Sequence, residues 1–241
     1  MLKMVPAMSH RFFLATPPAH GRAVLSGEEA RHLGRVMRAG PGDAVILFAG
    51  DGRSWAARVV AVRRDQVDLE VGQPREPIPP PRPAVTLAVA LPKGERQKWL
   101  IEKLTELGVV RLVPLVTERG VAEATAGAVE RLRRGVIEAC KQCGRDRLLA
   151  IGDPATLAEI VAAAPAGAVG VVADPSGGPL DAVPWREAAE VLGLVGPEGG
   201  FTDGELAVAD AAGWPRIALG HHVLRIETAA VALAARLQHH S

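Results

Sequence analysis

The sequence predicts an α/β protein in two parts, a small β-rich unit followed by a larger domain built on a parallel sheet. Three observations support this reading. Up to residue 73, short alternating or apolar runs are separated by turn signals. Six prolines then fall within the twelve residues from Gly72 to Pro83, where missing backbone donors and fixed φ angles favour extended chain over helix or central strand. Beyond them the period changes, and short apolar runs alternate with helical patterns, as expected of parallel strands joined by crossover helices.

Taken in chain order, Ser26 is placed to cap a helix over GEEARHLGRVMRA, with glutamates in its first turn and arginines in its last, as the helix dipole prefers. DAVILFAG, SWAARVVAV and QVDLEV read as strands, broken at Gly50-Asp51-Gly52 and Arg64-Asp65. The proline stretch at 74–83 is the linker, dividing a domain over 1–73 from one over 84–241. In the second domain, strands are expected at 85–91, 110–116, 168–174, 190–196 and 216–220, each apolar enough to be buried on both faces. Helices are expected at 95–107, 127–143, 155–164, 203–213 and 227–238, and ligands bind such sheets at the carboxyl ends of the strands.

Composition narrows the class. The chain has 241 residues, 48% hydrophobic and 23% charged, enough for one large core or two smaller ones and unlike disordered or collagenous sequences. No apolar run approaches the roughly 18–20 residues of a membrane span. The start, MLKMVPAMSHRFFLA, lacks a long apolar core followed by a small-residue cleavage site, so a cytoplasmic protein is expected. Two cysteines cannot build a disulfide framework. The net charge of +1 conceals a division: residues 1–150 are basic, whereas residues 151–241 hold four arginines against eleven acidic groups. The first part suits a polyanion, the last does not.

Four motifs carry candidate chemistry. In LVGPEGGFTDGEL (194–206), glycines follow an apolar strand and a T-x-x-E capping box opens the next helix. No Lys-Ser/Thr follows the glycines and their spacing is not G-x-G-x-x-G, so this is neither common phosphate loop. Glu198 in its midst disfavours phosphate and suits a neutral or cationic ligand; a plain βα turn with Glu198 in solvent is the alternative. LGHHVLRIETAA (219–230) repeats the plan, with Arg225, Glu227 and Thr228 crowding a helix start, where a capping role is the simpler alternative. His221 and His222 have no third ligand at metal-site spacing, so no metal is expected.

In PKGERQKWLIEKLTELGV (92–109), Trp99, Leu100, Leu104 and Leu107 form an apolar stripe expected in the core, while Lys93, Arg96, Lys98 and Lys103 make the first turns basic. In ACKQCGRDR (139–147), a single C-x-x-C is weak evidence for zinc; buried thiols are expected on a helix ending at Gly144, with Arg145 and Arg147 near basic surface.

Taken together, HRFFL (10–14), HLGRVMRAGPGD (32–43), KGERQKWLIEKLTELGV (93–109), TERG (117–120), EACKQCGR (138–145), GPEGGF and LRIETA resemble the ribosomal RNA small subunit methyltransferase E family of the knotted SPOUT superfamily. The resemblance covers nearly the whole chain, and GPEGGF followed by LRIETA is its most specific pair. Family members usually carry Arg or Pro where His221 and His222 stand, and serine where Gly120 stands.

The resemblance implies a small N-terminal PUA-like β-barrel that binds RNA and a C-terminal SPOUT domain with a parallel sheet and a deep trefoil knot. It also implies S-adenosyl-L-methionine as methyl donor, homodimerisation through the knotted domain, and methylation of N3 of one uridine in 16S ribosomal RNA, either as 16S rRNA or within the assembled small ribosomal subunit. By motif match the cofactor residues are Gly196, Glu198, Gly199, Gly200, Leu219, Gly220, Leu224, Arg225, Glu227 and Thr228, with Asp174 as a further wall. A sulfonium cation tolerates the carboxylate that a phosphate would not. For catalysis, Arg225 is expected to stabilise charge on a uracil oxygen and Glu198 or Glu227 to remove the proton or orient the base. RNA contacts are expected from His10, Arg11, Arg31, Arg35, Arg38, Lys93, Arg96 and Arg145. A non-catalytic RNA-binding or ribosome-assembly factor on the same fold is the alternative from another class, and cofactor binding separates the two.

Overall fold

The computed structural model describes residues 10–121 and 125–238. By internal contacts the chain forms two units: one runs through Pro79 and takes in Cys140–Leu148, and the other comprises Pro80–Ala139 with the chain from Leu149 onward.

The first unit holds β1 (Arg11–Phe13), β2 (Arg22–Ser26), α1 (Gly27–Arg31), β3 (Ala44–Phe48), β4 (Ser54–Val62) and β5 (Gln66–Pro74). Its sheet runs β1-β3-β4-β5-β2, with β1 parallel to β3 and the other pairs antiparallel. Alternation in β2 and β5 sends Ala23, Leu25, Val67, Leu69 and Val71 into a core shared with Phe12, Leu33, Leu47 and Val59. The three strands expected from the sequence are present. The short edge strands β1 and β2 were not expected, since three to five residues carry too little pattern to read. The helix expected over 27–39 is shorter: α1 ends at Arg31 and the chain widens into a π-helical turn at His32–Val36. Ser26 occupies the cap position, but its side chain makes no capping hydrogen bond.

The segment Cys140–Leu148 completes this unit through polar contacts. The Asp146 carboxylate accepts from the Arg11 guanidinium and from Ser54 Oγ at 2.8 Å, and Lys141 Nζ reaches Glu29 at 2.9 Å. Arg11 also lies 5.1 Å from the centre of the Phe48 ring. Cys140 is buried as expected; Cys143 is exposed instead. The side chains of Arg11 and Asp146 are only 10% and 14% exposed, so removing one charge strands the other. Arg11→Ala is therefore expected to destabilise the protein by on the order of 3 kcal/mol in chemical denaturation, well beyond the loss of a surface arginine.

The second unit holds β6 (Ala84–Val89), α2 (Arg96–Glu106), β7 (Arg111–Val116), α3 (Ala126–Cys143, whose last turn belongs to the first unit), β8 (Ala150–Ile151), β9 (Ala155–Thr156) and α4 (Leu157–Ala162). β10 (Val169–Gly178), β11 (Glu190–Val195), α5 (Asp203–Ala211), β12 (Arg216–Ile217) and α6 (Ile226–Gln238) follow. The strands are all parallel, in the order β12-β10-β11-β6-β7-β8, and β9 also pairs with β7. Val85, Leu87, Val89, Leu112, Val171, Val172, Val191 and Leu194 have no exposed surface, as parallel strands covered on both faces require. Helix α6 packs on β6, β11 and α2.

Every strand and helix expected in this unit is present, but β12 covers only two of the residues expected at 216–220, the two-residue strands β8 and β9 were not expected, and two further details differ. Helix α4 begins at Leu157 because Thr156 and Glu159 form a capping box, and the two residues before it pair with β7. Trp99 leaves the apolar stripe of α2: Leu100 and Leu104 are fully buried, whereas Trp99 is 42% exposed. A second tryptophan sets a tight limit. A Cβ at Gly170 would lie 2.0 Å from the Trp214 ring, so Gly170→Ala is expected to lower Tm by several degrees in a thermal melt, from about 1–3 kcal/mol of overpacking.

Candidate functional site

Two turns at the carboxyl end of the parallel sheet shape one cavity. The first leaves β11 at Val195. Within it the Gly200 N–H donates to Pro197 O at 2.9 Å, and Gly200 holds φ +69°, which favours glycine. Phe201 turns back over the backbone: a Cβ at Gly196 would meet its ring at 2.9 Å. The turn then locks into α5 by the capping box expected from the sequence, with Glu205 N donating to Thr202 Oγ1 at 3.3 Å and Thr202 N donating to Glu205 Oε2 at 2.8 Å. The second turn runs from β12 through 219–224 into α6.

The cavity between them is lined by Ala173, Asp174 and Pro175 from β10, by 195–198 with Gly200 and Phe201, by Leu219, Gly220, His222, Val223 and Leu224, and by Ile226 and Ala229 of α6. Of the residues expected around a cofactor, Gly196, Glu198, Gly200, Leu219, Gly220 and Leu224 line it, as does Asp174; Gly199, Arg225, Glu227 and Thr228 do not. The walls are apolar side chains and glycine backbone with two carboxylates, Glu198 and Asp174, and the imidazole of His222; among the described residues neither lysine nor arginine lines them. Asp174 is oriented by Ser176, whose N–H and Oγ both donate to its Oδ1 at 2.8 and 2.5 Å.

Three charged residues hold the first turn in place, and the sequence assigned none of them that role. Arg119, in the TERG segment after β7, donates through Nη1 to the carbonyls of Gly199 at 2.9 Å and Phe201 at 3.3 Å. Glu118 beside it accepts from Thr202 Oγ1 at 3.3 Å, and its N–H donates to Glu205 Oε1 at 3.1 Å. Arg96, expected on an RNA-facing surface, instead places Nη1 3.4 Å from Glu198 Oε1 and 3.6 Å from Glu227 Oε2. TERG and KGER stood out as motifs, but contacts 80 and 102 residues apart leave no trace in local pattern.

The other expected RNA contacts divide by exposure. His10, Arg31, Arg35, Arg38 and Lys93 are exposed; Arg35 reaches only an equally exposed Asp65 at 3.9 Å, a weak pair in water. Arg11 is committed to Asp146, and Arg145 is partly buried, its guanidinium pushed below the ordinary arginine value by desolvation. Among the described residues no three His, Cys, Asp or Glu side chains converge as a metal site would require.

Comparison with known proteins agrees with this architecture. Residues 79–238 match the RNA methyltransferase domain, and residues 25–72 match the RNA methyltransferase PUA domain. The chain is 34% identical to the ribosomal RNA small subunit methyltransferase E of Mycobacterium bovis, over 93% of this chain and 89% of that one. It is 33% identical to the protein of the same name from Synechocystis, over 87% of this chain and 71% of its relative. The crystal structure of a ribosomal RNA small subunit methyltransferase E from Neisseria gonorrhoeae, bound to S-adenosyl methionine, superposes with a TM-score of 0.88 at 28% identity, covering 95% of this chain and 97% of that one. A family domain over most of the second unit, the PUA match in the first, and relatives above 30% identity along nearly the full length lead to one conclusion: the chain belongs to the ribosomal RNA small subunit methyltransferase E family.

Proposed function

We propose that the protein transfers a methyl group from S-adenosylmethionine to N3 of a specific uridine in 16S ribosomal RNA. The observation that carries this is the cavity between the two glycine turns, whose charged wall residues are the carboxylates Glu198 and Asp174. Such a site repels phosphate and accepts a cation. The residues fit the cofactor: glycine backbone at 196, 200 and 220 offers polar groups without side-chain bulk, and Val195, Leu224, Ile226 and Ala229 offer an apolar wall. When bound, the cofactor supplies an electrophilic methyl group on its sulfonium.

The chain's own residues then have three tasks. They must position the base in line with the methyl group, which is where most of the acceleration in such a transfer arises. They must take the N3 proton, since an N3–CH3 bond would form as the donor's S–CH3 bond breaks, leaving the neutral thioether S-adenosylhomocysteine and releasing H⁺; a carboxylate at the cavity wall is the acceptor to hand. They must also stabilise the negative charge left on the uracil oxygens. Arg225 is exposed at the start of α6, beside the cavity but outside its lining, which suits a residue that faces the RNA rather than the cofactor. Uridine N3 is buried in a base pair, so the target must be unpaired or flipped out.

Exposed Arg31, Arg35, Arg38 and Lys93 are assigned to backbone contact with the RNA, free or within the assembled small subunit, and the reaction to the cytoplasm where that subunit is made. The domain limits assigned are 1–73, a linker at 74–83, and 84–241. The family further supports a knotted path for the chain after β12 and homodimerisation through the second domain.

Arg225→Ala is expected to abolish methylation of ribosomal RNA while leaving S-adenosylmethionine affinity within a few-fold by calorimetry; near-normal turnover would overturn its role. RNA binding is expected to weaken steeply between low and moderate salt, and a flat response would remove the basic residues from the interface. Mapping modified nucleosides in 16S ribosomal RNA from cells with and without the protein tests the base and atom directly. Absence of any cofactor binding would favour a non-catalytic RNA-binding factor.

A further inference from the structure

Glu227, Arg96 and Glu198 step outward from the interior: their side chains are 8%, 38% and 45% exposed. Glu227, in the first turn of α6, is one of the few buried charged residues, and its Oε2 has no hydrogen-bond partner among the described residues. Arg96 Nη1, at 3.6 Å, is the counter-charge that compensates it. A buried carboxylate deprived of its cation is strongly destabilising, so this contact fixes the guanidinium in place. The same Nη1 also reaches Glu198 Oε1 at 3.4 Å, so one nitrogen sits between the buried and the exposed carboxylate. An exposed Arg–Glu pair is normally worth little because two long side chains must be ordered to make it. Here one of the two is already ordered from behind.

We propose that Arg96 is a positioning residue: anchored on buried Glu227, it holds the Glu198 carboxylate in its orientation at the cavity wall. The inference rests on the reading of that cavity as the methyl-transfer site. It also divides the two glutamates that the sequence left equivalent. Glu227 does not line the cavity and acts only through Arg96, so Glu198 is the carboxylate of the pair that touches the ligand. One guanidinium between two carboxylates leaves one net negative charge, which Glu198 can present to a cationic donor or use to accept a proton without losing its tether. The bridge joins α2, the turn after β11 and α6, and so ties both walls of the cavity to one side chain.

The test uses the full-length protein, with single-turnover methylation of ribosomal RNA at saturating cofactor and RNA, and calorimetric S-adenosylmethionine binding. Arg96→Ala is expected to slow the saturated rate at least about tenfold. Arg96→Lys is expected to recover part of that loss, since lysine keeps the charge but its shorter side chain does not bring the ammonium to the position of Nη1. The double variant R96A/E198Q is expected to be no slower than E198Q, because Arg96 acts through Glu198. Should Arg96→Ala fail to fold with Glu227 left bare, R96A/E227Q removes the buried charge together with its partner and is expected to fold and remain slow. A saturated rate for R96A/E227Q within about twofold of wild type would overturn the proposal, as would multiplicative losses in R96A/E198Q. Weaker RNA binding with an unchanged saturated rate would overturn it too and make Arg96 an RNA contact. If the unmodified protein neither binds the cofactor nor methylates RNA, the methyltransferase reading itself falls, and the proposal with it; an active wild type with a fast R96A/E227Q overturns the proposal alone.

Discussion

The site depends on the register of β11. Its six residues, Glu190–Val195, pair with every residue of β6 on one side, while Val191–Val195 pair with Val169–Ala173 of β10 on the other. A strand hydrogen-bonded on both edges and buried on both faces cannot slip by a residue without breaking both ladders and repacking both faces. That fixes where Val195 ends, and therefore where the glycine turn leaves the sheet. The same pairing carries Ala173 and Asp174 of β10 to the matching level on the neighbouring strand, where the register with β12 becomes irregular and the backbone opens into the cavity. The cavity thus lies where ordered pairing stops.

A turn fixed at one end still needs holding along its length, and here the structure spends charge rather than apolar contact. Arg119 fastens two carbonyls of the turn, Glu118 and Glu205 fasten the start of α5, and Arg96 fastens Glu198. All are exposed or half-exposed pairs that would contribute little singly. Their common target is a segment of seven residues, Gly196–Thr202, in which Pro197 and Phe201 are the buried side chains. Glycines let the backbone come close to a ligand but leave it free to move; the surrounding ions restrict that freedom without filling the space.

Much of this was legible in the sequence, and the reason lies in range. The capping box at Thr202, the strand before Gly196, and the change of period after the prolines are signals within a few residues of each other. The fold class and the cavity-lining glycines followed from them, and the resemblance of the motifs supplied the family. Trp99 misled because spacing on a helix tells which residues share a face, not how wide a face the neighbours cover. The ion pairs of Arg11 and Arg96 were not legible, because basic residues near a chain's start look alike whether they meet RNA or a carboxylate far along the sequence. Their partners in the fold, Asp146, Glu198 and Glu227, lie about a hundred residues or more away. Cys143 and Ser26 mark a smaller failure of the same kind: position was right, but the side-chain contact was not determined locally.

The grouping of Cys140–Leu148 with the first unit has a consequence for how the molecule is made. The first unit is discontinuous in sequence: Arg11 and Ser54 find Asp146, and Glu29 finds Lys141, only after the chain has passed through β6, α2, β7 and most of α3. On the ribosome the N-terminal sheet emerges first, yet its buried arginine stays without its carboxylate until residue 146 is out. Maturation of the first unit is therefore coupled in time to synthesis of the second. A boundary drawn at the prolines separates two compositions, but it does not separate two independently completed folding units.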